Sequence, residues 1–125
     1  MMRRFTLILV VVWLSACGLM PDTQEDDQNW SANKFYSEAR DKLNDGNYTA
    51  AIKLYSSLEA RYPYGRFAQQ AQLETAYAYY KDQEPASALA AADRFINLHP
   101  NHKNVDYAYY IKGLANFNDD CGIMN

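Results

Sequence analysis

Apolar and polar positions follow the period of an α-helix from about residue 32 onward. In the second periodic segment, Ala51, Tyr55 and Leu58 stand four and then three residues apart, which places them on one face of a helix. The same spacing predicts five helices, near residues 32–44, 48–61, 67–81, 85–97 and 104–118. The pattern therefore predicts an all-α domain over residues 32–125.

Glycine and proline mark where these helices begin and end. Gly46 suits a left-handed turn after the first helix, and Pro85 suits the first turn of the fourth. Pro63 and Pro100 end the second and fourth helices, because the residue before a proline disfavours the helical conformation. We therefore expect short connections between successive helices.

The helices repeat in pairs with a period of 37 residues. Small residues and a proline recur twelve apart in two trios: Ala39, Ala51 and Pro63, then Ala76, Ala88 and Pro100, with Gly113 opening a third. Other columns agree: Tyr36, Leu73 and Tyr110; Leu43, Tyr80 and Phe117; Ile52 and Leu89; Leu58 and Phe95. This order of residue types resembles the tetratricopeptide pattern, whose usual period is about 34. It predicts a tetratricopeptide-like α-solenoid of helix pairs, with about two and a half repeats.

The third repeat is expected to be incomplete. Its second small residue would fall at position 125, where Asn125 stands. An array needs roughly three repeats to bury a continuous core. We therefore expect a domain that is truncated at its C-terminus and marginally stable, with Tyr and Leu side chains exposed on the helix near 104–118.

Residues 1–16 have the features of a signal peptide. Arg3 and Arg4 give a basic start, and the apolar stretch 5–14 follows. As a helix this stretch would span roughly 15 Å, about half of a bilayer core, which is too short for a membrane span. The pattern therefore predicts a removable leader.

The end of this leader resembles the cleavage box of bacterial lipoproteins. Leu14-Ser15-Ala16-Cys17-Gly18 has two small residues before the cysteine. The resemblance implies a diacylglycerol and an N-acyl lipid on Cys17, and several acyl chains together give a stable anchor. Gly18 in place of Asp implies the outer membrane of a Gram-negative bacterium, periplasmic face. An ordinary secretory signal with a chance cysteine is the alternative. Residues 17–31, mostly polar, are predicted to be the lipidated cysteine and a flexible linker.

Charge and cysteine content exclude several classes of protein. The chain has a formal charge of −3, and without Arg3 and Arg4 it carries 10 basic and 15 acidic residues, or −5. A nucleic-acid-binding protein would need a basic face. Two cysteines exclude a disulfide scaffold, and Cys121 would be an odd thiol.

The repeats also carry a family resemblance. The segments that carry it are Arg61-Tyr62-Pro63-Tyr64-Gly65, residues 69–73, 78–81 and 93–96, His99-Pro100, Asp106-Tyr107 and residues 113–116. With the lipoprotein box they resemble the BamD (ComL-like) family, the tetratricopeptide lipoproteins of the outer-membrane β-barrel assembly machine. The resemblance covers nearly the whole chain, and its most specific segment is 61–81.

The resemblance implies a non-catalytic scaffold lipoprotein. Such a protein binds unfolded barrel-protein clients and the barrel-forming subunit BamA, beside the other Bam lipoproteins, to promote folding and insertion into the outer membrane. The family's N-terminal repeats receive the C-terminal β-signal of clients, and its C-terminal repeats bind BamA. The alternative is another periplasmic tetratricopeptide adaptor, linked to cell-wall synthesis or division.

A β-signal ends in an aromatic residue and a free carboxylate, so its receptor needs aromatic surface and a cation. Tyr62 matches the family position associated with substrate contact and is the leading candidate. Arg61 or Arg66 would supply the charge, and Tyr64 is a further candidate. The alternative for Tyr62 is that it packs the second helix against the third.

Other residues suggest no catalytic or metal site. His99 and His102 fall around Pro100 without further ligands, so we expect no metal and no cofactor besides the lipid on Cys17. No base is placed near Cys121, and no polar pocket with perturbed acids is indicated. The tyrosines of the third and fifth helices are predicted to pack in the core: Tyr77, Tyr79, Tyr80, Tyr107, Tyr109 and Tyr110.

Overall fold

The computed structural model describes residues 27–122, with the side chains of residues 27–118. This part of the chain holds one short 3-10 turn, Asp27–Asn29, and then helices only. The helices are α1 (Ala32–Asn44), α2 (Tyr48–Arg61), α3 (Arg66–Lys81), α4 (Pro85–Leu98) and α5 (Val105–Gly122). The predicted all-α fold is confirmed, and the largest difference in bounds is the longer C-terminal end of α5.

Successive helices pack against one another in the order of the chain. Each helix contacts the next, and α3 also contacts both α1 and α5. Helices α1, α3 and α5 therefore form one row, in which each contacts the next. Helix α2 lies against α1 and α3, and helix α4 lies against α3 and α5. This is the arrangement of a helix-pair solenoid.

The 37-residue repeat is visible in the backbone of the two turns within the pairs. The same three hydrogen bonds close each turn. In the first they run from the amides of Asp45, Gly46 and Asn47 to the carbonyls of Asp41, Leu43 and Lys42; in the second, from Asp82, Gln83 and Glu84 to Ala78, Tyr80 and Tyr79. The middle residue is left-handed in both, with φ +77° at Gly46 and +60° at Gln83. Sequence repetition therefore produces repetition of turn geometry.

Small residues allow the helices to approach closely. Ala39, Ala51, Ala76 and Ala88, the alanines of the repeat trios, are all fully buried. One core cluster joins α1, α2 and α3 around Phe35, Tyr55 and Leu58. Two smaller clusters join α3, α4 and α5; they contain Leu73 with Phe95 and Ala108, and Ala76 with Ala92 and Ile111.

Three of the six tyrosines predicted to lie in the core do not. Tyr107, Tyr109 and Tyr110 on α5 are 38%, 56% and 59% exposed. Their spacing places the three tyrosines on neighbouring parts of the α5 surface. They are exposed because no later helix of the described chain covers that surface. The expected exposure of tyrosine on this helix is confirmed, whereas Leu114 is half-buried. Tyr77 and Tyr80 do pack against the core.

The predicted leader, Cys17 and linker residues 18–26 lie outside the described residues, as does the side chain of Cys121. The linker boundary needs correction, because residues 27–31 are folded against α1 and the end of α2. Trp30 packs against the first core cluster, and Ser31 caps α1 by accepting a hydrogen bond from the Lys34 amide. Of the described helices, none is long and apolar enough to cross a membrane.

Candidate functional site

The candidate site lies where α2 ends and turns into α3. Tyr62 is the C-terminal cap of α2, and its amide donates to the carbonyl of Leu58 at 2.8 Å. Pro63 prevents further helix. Gly65 then takes φ +102° and ψ 178°, a conformation that side chains disfavour, and its carbonyl accepts from the Gln69 amide of α3. The loop is therefore shaped by proline at one end and glycine at the other.

Tyr62 is turned toward the N-terminal segment. Its hydroxyl donates to the carbonyl oxygen of Trp30 at 2.8 Å, and the residue stays 36% exposed. Two roles were expected for Tyr62, contact with a client or packing between α2 and α3. The structure adds a third arrangement, in which the hydroxyl holds the residues before α1 and part of the ring faces solvent.

Arg61 also contacts the N-terminal segment, through Asp27. Its guanidinium lies over the ring of Phe35, 5.1 Å from the centroid, and donates to the carbonyl oxygen of Asp27. Its Nη2 atom also lies 3.9 Å from Asp27 Oδ1. Arg61 was predicted to be a cation for a carboxylate, and in the described chain it reaches a carboxylate of the chain itself.

The other two candidates lie on the α3 side of the loop. Tyr64 is 91% exposed. Arg66, the first residue of α3, lies over the ring of Phe67, 4.9 Å from the centroid. The structure thus brings Arg61 and Tyr62 together on one segment, and it places Tyr64 and Arg66 farther along the chain with separate surroundings.

Sequence reasoning missed the residues that complete the first group. The Trp30 ring packs edge-on against Phe35, with centroids 5.3 Å apart, and Lys34 Nζ lies 5.1 Å from the centroid of the Trp30 ring. Trp30 precedes the cap Ser31, and Phe35 is the fourth residue of the helix. An apolar pair at these two positions is the hydrophobic staple of a helix N-terminus, a signal that was available in the sequence.

The two histidines have structural surroundings. His99 Nε2 lies 3.1 Å from Oε1 of the nearly buried Gln72. His102 accepts a hydrogen bond from the Asn104 amide, and its ring stands edge-on to Phe95 at 5.1 Å. Burial lowers the pKa of His102, and nearby His99 and Lys103 add to this effect. Over residues 27–118, three or more potential metal ligands do not come together anywhere.

A partly buried polar cluster joins α1 to α3. The Tyr36 hydroxyl donates to Glu74 Oε1 at 3.3 Å, and Gln70 Nε2 donates to the same atom at 3.2 Å. The hydroxyl of fully buried Tyr55 has no hydrogen-bond partner among the described residues. Burial raises the pKa of Tyr55, with the charge of Glu74 as the second cause, so this phenol stays neutral. These groups lie at the interface between the helices.

Comparison with known proteins identifies relatives for most of the chain. The family model described as YfiO, Outer membrane lipoprotein, matches residues 28–125. A protein from Neisseria meningitidis serogroup B named Outer membrane protein assembly factor BamD is 55% identical over 90% of this chain and 43% of its own length. Proteins of that name from Vibrio cholerae and from Xylella fastidiosa Temecula1 are 35% and 34% identical, over 94% and 90% of this chain and 48% and 39% of theirs. The chain thus spans less than half the length of these relatives.

Proposed function

We propose that this chain, which belongs to the YfiO family of outer membrane lipoproteins, is a non-catalytic assembly factor for outer-membrane β-barrel proteins. A lipid on Cys17 anchors it to the periplasmic face of the outer membrane. It binds unfolded barrel proteins and works with the barrel-forming subunit BamA and the other Bam lipoproteins. The observation that carries this proposal is its similarity to proteins named as outer membrane protein assembly factors.

Client binding is assigned to the end of α2. The client is expected to present an extended segment with a terminal aromatic residue and a carboxylate. Tyr62, 36% exposed, offers aromatic surface, and Arg61 beside it offers a cation already oriented over Phe35. Tyr64 and Arg66 extend the same loop and supply further aromatic and cationic contacts to a longer segment.

The partner class is tested by purifying the lipidated protein from outer membranes in mild detergent. Bound proteins are then identified by mass spectrometry. We expect the barrel-forming subunit and unfolded barrel proteins. Recovery of cell-wall synthesis or division proteins in their place would instead support the alternative adaptor function.

The client site is tested with a short synthetic peptide that alternates polar and apolar residues and ends in phenylalanine with a free carboxylate. Replacing Tyr62 with alanine is expected to weaken its binding by about tenfold, since a central aromatic anchor is lost. Tyr109→Ala is the matched control, because Tyr109 is another exposed tyrosine, on α5. Equal losses in the two variants, or no loss at Tyr62→Ala, would place the client elsewhere.

A further inference from the structure

We propose that residues 27–30, the N-terminal segment, occupy the client site in cis, and that a client binds by displacing them. This inference rests on the proposed function, since it names the occupant of the same site. The segment covers Arg61 and Tyr62 of the client site, and it also contacts the adjoining Phe35 and Lys34.

The polar contacts to the segment are directed at its main chain. Tyr62 donates to the carbonyl of Trp30 at 2.8 Å, and Arg61 donates to the carbonyl of Asp27. These two acceptors are three residues apart and bracket the 3-10 turn Asp27–Asn29, so an extended client would offer carbonyls of a different sequence spacing. Main-chain carbonyls are present in every peptide, so another segment with suitably spaced carbonyls can take the same two donors.

The side chains of the segment have the chemistry expected of a client. Trp30 supplies an aromatic ring, which packs against Phe35 at 5.3 Å beneath the Lys34 ammonium. Asp27 supplies a carboxylate, which lies 3.9 Å from Arg61 Nη2. The segment therefore presents one aromatic group and one carboxylate, the same pair of groups that ends a β-signal.

The segment is held in a way that permits exchange. The Asp27 and Arg61 side chains are 42% and 35% exposed, and an exposed pair at this distance contributes little to stability. A terminal carboxylate that approaches Arg61 closely, with two hydrogen bonds, would form a stronger pair. Because the segment competes for the site, only molecules with an open site bind a client. The apparent affinity is therefore the intrinsic affinity multiplied by the fraction of molecules in which the site is open.

Fluorescence of Trp30 tests displacement directly. The chain contains two tryptophans, Trp13 and Trp30. Trp13 lies in the predicted leader, so the form processed at Cys17 has Trp30 as its reporter. We would titrate this form, in detergent, with the peptide that ends in phenylalanine. Binding is expected to shift Trp30 emission to longer wavelength as the ring leaves Phe35 for water. The same peptide with an amidated C-terminus is expected to cause a smaller shift.

Weakening the segment gives a second, independent test. Trp30→Ala is expected to tighten peptide binding by about three- to tenfold, since one aromatic contact of the competitor is lost. Asp27→Asn is expected to tighten it by about twofold and removes only a charge. Asn44→Ala, at an exposed position at the C-terminal end of α1 and outside both the segment and the site, is the control and should leave binding unchanged.

The outcomes separate the two proposals. If the peptide binds and Tyr62→Ala weakens it, while Trp30 emission stays constant and neither segment variant tightens binding, the occupancy inference is overturned and the client site stands. If the peptide does not bind to any form, the client site itself is wrong. Should Trp30→Ala unfold the chain, as circular dichroism would reveal, Asp27→Asn and the Trp30 emission still decide the question.

Discussion

The C-terminal ends of α2 and α4 have the same backbone conformation, but the side chains at these two ends make contacts in different directions. Tyr62 and His99 stand 37 residues apart, each before a proline. Their amides cap the helices through hydrogen bonds of 2.8 Å to Leu58 and Phe95, with φ −128° and −134°. Tyr62 then reaches outward to the N-terminal segment, whereas His99 approaches Gln72 on α3 at 3.1 Å.

The difference follows from one column of the repeat. Position 35 holds Phe, which supports Trp30 and Arg61 on the outside of the first repeat. Position 72, 37 residues later, holds Gln, whose side-chain oxygen lies within hydrogen-bond distance of the His99 ring. The repeat therefore specifies the backbone of each helix end. The residues at positions 35 and 72 decide whether that end holds the N-terminal segment or supports the neighbouring helix α3.

The largest expected effect on stability comes from truncating the buried apolar residue that stands four positions before Tyr62 or His99. Phe95 and Leu58 are equivalent and fully buried. We expect Phe95→Ala to lower the free energy of unfolding by about 3–5 kcal/mol and Leu58→Ala by about 2–5 kcal/mol. Phe95→Ala should be the more damaging, because the rings of His99 and His102 both pack on Phe95. Urea denaturation measures this order, and a milder Phe95→Ala would contradict the supporting role of the second helix end.

The next effect concerns the N-terminal segment. Trp30→Ala removes the staple with Phe35 and the contact with Lys34. We expect it to lower the free energy of unfolding by about 1–2 kcal/mol. Asn29→Ala serves as the control. Unchanged stability in Trp30→Ala would mean that the segment is not held against the first repeat in solution.

The two turns within the helix pairs allow a reciprocal exchange. Gly46 and Gln83 are equivalent and left-handed, but only glycine adopts this conformation without steric cost. Gln83→Gly is expected to stabilise the chain by up to about 1 kcal/mol, and Gly46→Gln to destabilise it by about 1 kcal/mol. Thermal denaturation of both variants measures the pair. Changes of the same sign would show that the turns are not equivalent.

The smallest expected effect is on the pH dependence of stability, and it concerns His102, which follows the end of α4. Folding lowers the pKa of His102 below 6.5, so the unfolded chain binds more protons than the folded chain just below that pH. The free energy of unfolding should therefore fall as the pH drops through 6.5. His102→Gln should remove this part of the fall. Urea denaturation above and below pH 6.5 would test it, and an equally steep fall in the variant would refute it.

Periodicity predicted the helices well because the repeat determines the packing. Proline and glycine at positions 46, 63, 85 and 100 marked the boundaries, and the buried alanines marked the helix contacts. Periodicity could not say which apolar face stays uncovered. Tyr110 shares its column with buried Leu73, yet it is exposed because α5 is the last described helix.

The candidate site was predicted only in part. Tyr62 and Arg61 stood out through the family resemblance, but their partners Asp27 and Trp30 precede them by 32 to 34 residues in a polar stretch. Composition alone made that stretch resemble a linker. Its single aromatic residue, next to the cap Ser31, was the local sign that the end of the stretch is folded.

The most direct test is site-specific photo-crosslinking in cells at positions 62 and 99. A photoreactive residue at each equivalent position reports which helix end meets unfolded barrel proteins. Position 98 is an accessibility control, because Leu98 is 55% exposed at the end of α4. We expect crosslinks to barrel proteins from position 62 and not from positions 98 or 99. Crosslinks of equal strength from both helix ends, or from the α4 end alone, would contradict a client site at Tyr62.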